Sequence, residues 1–106
     1  MTATKQAAPE SPSVKDYEVV KATEVRFHVQ VFIAGREGVQ ESRMGNKRLA
    51  TRECKSLVAQ GGFGSAGSVT METFRPGRND FKRTLIFQCA RRYQKNGKLV
   101  TKVEEL

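Results

Sequence analysis

This chain of 106 residues has no tryptophan, one histidine (His28), two cysteines (Cys54 and Cys89) and three prolines. A single histidine and two isolated thiols do not supply the paired ligand spacings of a zinc site. Two cysteines so far apart in sequence also read as reduced core thiols and not as the framework of a stapled secreted domain. No apolar run approaches the roughly 20 residues that cross a bilayer, and the opening MTATKQAAPESPSVKDYE lacks the apolar stretch of a secretory signal. The expectation is a cytoplasmic protein with no membrane partner. There is no nucleophile elbow and no H-E-x-x-H, and acids such as Glu37, Glu41 and Glu72 are scattered among basic neighbours. Acid–base chemistry needs paired groups in opposed environments, so the sequence predicts a non-catalytic protein that needs no cofactor and no metal.

What the chain has in excess is positive charge, and that charge is segregated. The formal net charge is +8. Residues 1–23 and 24–45 each balance at 3 basic against 3 acidic, and residues 61–80 balance at 2 against 2. The surplus lies in residues 46–60, with 4 basic against 1 acidic, and in residues 81–106, with 7 against 2. A basic excess collected on two elements marks a surface that meets an anion, most often nucleic acid.

Length and a hydrophobic content of 38% suit one domain with one modest core. Residues 1–16 mix Ala, Pro, Ser, Thr and Lys without periodicity and read as a disordered tail ahead of a single domain over residues 17–106. From Glu24 the pattern alternates strictly. Val25, Phe27, Val29, Val31 and Ile33 fall on one face, and Arg26, His28, Gln30 and Phe32 on the other, as in a half-buried strand. Gly35 and Gly38 supply a turn, and Val39 to Arg43 return as a second strand. Asn46 is positioned to cap a helix running to about Gln60, with Ala50, Cys54, Leu57 and Val58 on its inner side and Arg48, Arg52 and Lys55 on its outer side. Three further strands follow, over Ser68–Arg75, Phe81–Gln94 and residues 98–104, the last two joined by Asn96-Gly97. The predicted fold is α+β. An antiparallel sheet of about five strands, in the chain order β-β-α-β-β-β, is covered on one face by one helix.

A sheet with one helix leaves a face open. On the fourth strand Leu85, Phe87, Cys89 and Tyr93 read as the core side, and Lys82, Thr84, Ile86, Gln88, Ala90 and Arg92 as the open side. With Arg26 and His28 on the first strand, Lys82 makes a second set of candidate contacts on that open face. Such a face suits a nucleic-acid backbone, a protein partner or a second copy in a homodimer. Gly62-Phe63-Gly64-Ser65-Ala66-Gly67 matches G-x-G-x-x-G, but it follows a helix and precedes a strand. A phosphate-cradling loop has the reverse order, so this segment reads as a connector.

The strongest candidates for anion contact are Lys47, Arg48, Arg52 and Lys55 on the helix, with Arg91, Arg92, Lys95 and Lys98 around the last hairpin. Arginine can engage a phosphate bidentately, and lysine meets it as a point charge. The stretch from Arg26 to Glu37, followed by Gly45-Asn46-Lys47-Arg48-Leu49-Ala50, resembles the hairpin-to-helix part of double-stranded RNA-binding domains over residues 26–57. That resemblance implies phosphate contacts at Lys47 and Arg48, extended by Arg52. The β-β-α-β-β outline and the turn Tyr93-Gln94-Lys95-Asn96-Gly97-Lys98 are also similar to small phage anti-CRISPR proteins. The first resemblance implies a nucleic-acid-binding module. The second implies a phage- or plasmid-encoded inhibitor or adaptor that docks on a protein or ribonucleoprotein complex.

Overall fold

A computed structural model of the protein describes residues 22–106. The disordered tail expected over residues 1–16 lies outside the described residues, as do residues 17–21. The elements are β1 (Glu24–Phe32), β2 (Val39–Met44), α1 (Lys47–Ala59), β3 (Ala66–Phe74), β4 (Phe81–Tyr93) and β5 (Leu99–Glu105). They form one antiparallel sheet of five strands in the order β2-β1-β3-β4-β5, with α1 against one face. This is the α+β architecture that the sequence predicts. β1 sits between β2 and β3, so the chain leaves β2, runs through the helix and returns on the far side of β1.

The turns form where the backbone chemistry favours them. Asn46 takes extended geometry, and its Oδ1 accepts from the Leu49 N–H at 3.1 Å, opening the helix. Gly97 adopts φ +83° in the β4–β5 turn, where a side chain would be strained. The Gln94 N–H donates to the Lys98 carbonyl at 2.8 Å, and the Lys98 N–H donates to Asn96 Oδ1 at 2.9 Å.

The core lies between α1 and the sheet. Val29, Val31 and Ile33 of β1 and its exit, Val69 of β3, and Phe87 and Cys89 of β4 meet Ala50, Cys54 and Val58 of α1. Gly67 lies at the centre of this contact. A Cβ there would approach Cys54 Sγ to 2.6 Å, Val58 Cγ2 to 2.9 Å and Val31 Cγ2 to 3.1 Å, so the helix seats against bare backbone. Cys54 and Cys89 are buried free thiols with their sulfurs 3.7 Å apart. The hydrogen bond to Cys89 and then burial push the Cys54 thiol well above its ordinary range, so it remains protonated.

One strand departs from simple alternation. Val69 pairs with Phe87 but Thr70 pairs with Leu85, so Ile86 is an extra residue, a β-bulge. The bulge reverses the faces of β4 ahead of it. Leu85, expected on the core side, is 42% exposed on the open face, whereas Ile86, expected on the open face, packs against the core. Lys82 and Thr84 likewise move to the helix side, opposite Thr73 and Met71. On the open face, Phe81 and Arg83 take positions opposite Phe74 and Glu72.

Replacing Gly67 with alanine is expected to cost about 2 kcal/mol, because the three nearest side-chain atoms all belong to buried residues. Urea denaturation checks this, and an unchanged midpoint would show that the helix can lift away freely.

Candidate nucleic-acid interface

The helix presents its cations on one flank. At about 100° per residue, Arg48, Arg52 and Lys55 fall within about 60° of one another, away from Ala50, Cys54 and Val58. All three are exposed, as is Lys47, and among the described residues none of the four side chains makes an ion pair or a hydrogen bond. The first turn holds Lys47 and Arg48 and no acid, although the positive end of the helix dipole disfavours cations there. The hydrogen bond from Cys54 holds the Cys89 thiol below its ordinary range, with the Lys55 charge a lesser contribution in the same direction.

Around the last hairpin the four candidates divide. Arg91 is half-buried and tied down. Its Nε donates to the Gly61 carbonyl at 3.0 Å and its Nη1 to Thr101 Oγ1 at 3.0 Å, which fixes the end of the helix to β4 and β5. Arg91 is therefore a structural tie. Arg92 is exposed, with its guanidinium carbon 6.0 Å from the centre of the Phe63 ring. Lys95 and Lys98 are exposed at the turn and make no ion pair among the described residues. Phe63, from the loop that leaves α1, stacks on Tyr93 of β4 with centroids 5.2 Å apart and planes inclined by 18°. Both rings are exposed, at 56% and 58%. No sequence motif announces this pair, because its members are far apart; Phe63 sits in a segment that reads as a connector, and Tyr93, expected on the core side of the fourth strand, is exposed instead because that strand runs past the end of α1.

The open face does not offer what the alternation suggests. His28, a candidate surface contact, is 3% exposed and enclosed by charged neighbours. Its Nε2 lies 2.7 Å from Glu41 Oε1, and its Nδ1 lies 3.6 Å from Glu72 Oε2 and 3.5 Å from Arg43 Nη2. With the proton on Nε2, the ring donates to Glu41 and presents Nδ1 as an acceptor to Arg43. Glu72 is fully buried and held by Arg43 through two hydrogen bonds, of 2.9 and 3.2 Å. The register explains the gathering. His28 pairs directly with Arg43, while Glu41 and Glu72 occupy diagonal positions on the two strands that flank β1. Two of the acids that look scattered along the chain, Glu41 and Glu72, are thus collected around one histidine. Arg26, the second open-face candidate, bonds Glu24 at 3.0 Å and lies 4.5 Å above the Phe74 ring. Lys82, the third, is on the opposite face because of the bulge. Among the described residues, no cluster of His, Cys, Asp and Glu is arranged to hold a metal ion.

The hairpin meets the helix at one end only: Arg91 ties β4 to Gly61 just past the carboxyl end of α1, whereas Lys47 and Arg48 stand in its first turn. The segment after α1 is held to β4 and β5 through Arg91. The chain matches no family model, no curated protein and no solved structure. Geometry and charge therefore carry the functional reading. No helix among the described residues is long and apolar enough to cross a membrane.

Arg43→Ala would leave the buried Glu72 carboxylate without its two-pronged partner. A loss of about 3 kcal/mol in urea denaturation is expected, and Arg43→Lys should recover only part of it. A wild-type midpoint for Arg43→Ala would mean that other neighbours satisfy Glu72.

Proposed function

We propose that the protein is a non-catalytic nucleic-acid-binding module that meets the phosphate backbone through the outer flank of α1 and the β4–β5 hairpin. The observation that carries this reading is the gathering of four exposed, unmatched cations on one 13-residue helix, whereas exposed cations such as Arg36, Arg75 and Lys102 stand apart on other elements. Arg26, Arg43 and Arg78 are matched to Glu24, Glu72 and Asp80 within the fold. Lys47, Arg48, Arg52 and Lys55 are exposed and unmatched, and two of them stand where the helix dipole opposes them. Cations held in a locally unfavourable place and left without counter-ions suit an external polyanion. Arg92, Lys95 and Lys98 extend the charge toward the hairpin, and Arg91 holds the hairpin against the helix.

A second reading, an inhibitor or adaptor docking on a protein or ribonucleoprotein complex, is favoured by a different observation. Phe32 and Val39 are cross-strand neighbours on the open face, and each is 44% exposed. A stoichiometric protein partner recovered after nuclease treatment would favour it.

The first reading predicts binding that weakens steeply with salt. Changing Arg48, Arg52 and Lys55 together to Gln should lower the slope of log affinity against log salt by about 2, each lost phosphate contact contributing about 0.7 to 0.9. Fluorescence anisotropy at several salt concentrations measures this, and a triple variant that binds like the wild type throughout would refute the assignment.

A further inference from the structure

We infer that the Phe63–Tyr93 stack is a platform for an unpaired nucleobase, so that the preferred ligand is single-stranded nucleic acid and not a closed duplex. This rests on the backbone-binding reading above and names its substrate class. Two stacked rings with centroids 5.2 Å apart and more than half exposed present apolar, planar surface to water, with no core to cover it. A base has the matching shape and a π-face, and stacking on an aromatic side chain is tolerant of which base it is. The charge beside the rings selects a nucleotide over a bare apolar partner. Arg92 stands 6.0 Å from the Phe63 centroid, and the unmatched Lys95 and Lys98 lie along the adjoining turn. Access is open as well, since at Gly62, next to Phe63, a Cβ would have nothing within 4 Å. A duplex buries its base faces in its own stack and offers only phosphates and groove edges, so it can use the helix flank but not the rings.

The test compares two strands of about 10 nucleotides, a size within the range one small domain engages, with equal numbers of phosphates. One is an intact polypyrimidine and the other carries abasic sites throughout. The full chain should bind the intact strand about tenfold more tightly at the same salt concentration. In Phe63→Ala/Tyr93→Ala that advantage should vanish while abasic binding stays unchanged, and Tyr93→Phe should keep it. Amide NMR spectra confirm that each variant is folded. Equal wild-type affinity for both strands would overturn the platform and leave the phosphate reading standing, as would a double variant that still prefers the intact strand. Failure of both strands to bind at low salt would overturn both readings.

Discussion

The seat of the helix on bare backbone at Gly67 is the constraint on which the rest of the structure depends. Strand β3 is the middle of the sheet, and α1 lies over it with Ala50, Cys54 and Val58 inward. Because those residues are small or of medium size, the helix sits low, and its inner positions are filled without help from its flanks. The outer flank is then free of any packing duty. Its residues need only be compatible with water, which is the condition under which four cations can be kept on one short helix. Helix depth thus connects an internal fit to the chemistry available outside.

A second consequence of having one helix is that half of the sheet must bury its centre without a covering layer. The open face does this with charge. Burying an acid is costly unless its hydrogen-bonding capacity is met, and Arg43 meets Glu72 with two parallel bonds while His28 bridges toward Glu41. Long side chains lying across the pleats shield one another, so the network serves as a substitute for a second hydrophobic layer. The Phe74–Phe81 pair, with Arg26 over the Phe74 ring, extends this cover toward the β3–β4 turn. Polar satisfaction around Glu72 and a small apolar pair at Phe74 and Phe81 together close this side of the molecule.

Much of this was legible in the sequence. The alternation from Val25 to Ile33, the cap at Asn46, the helix stripe and the Asn96-Gly97 turn each follow from local chemistry, and the α+β fold follows from their order. The segregation of charge was also visible, and it leads to α1 and the final hairpin. What local pattern could not supply is register. Leu85 and Ile86 are both apolar, so the alternation on either side of them passes through without a mark, and the bulge stays hidden until β3 is paired. Arg91 looks like its neighbour Arg92, but only the tertiary structure ties it to Gly61 and Thr101. The enclosure of His28 and the meeting of Phe63 with Tyr93 are products of strands and loops brought together from distant parts of the chain.

The extra residue at Ile86 makes β4 a phase inverter. Ahead of it, even-numbered side chains such as Lys82 and Thr84 look toward the helix side, and beyond it the odd-numbered Phe87 and Cys89 do. A chain lacking Ile86 would have a regular ladder in which Leu85 still meets Thr70 and Arg83 still meets Glu72, but it would lose the apolar side chain that Ile86 packs against the core. Alternation therefore holds on each side of Ile86 but is out of phase between the two sides, and the face of Lys82 or Arg83 cannot be counted from Phe87 or Cys89.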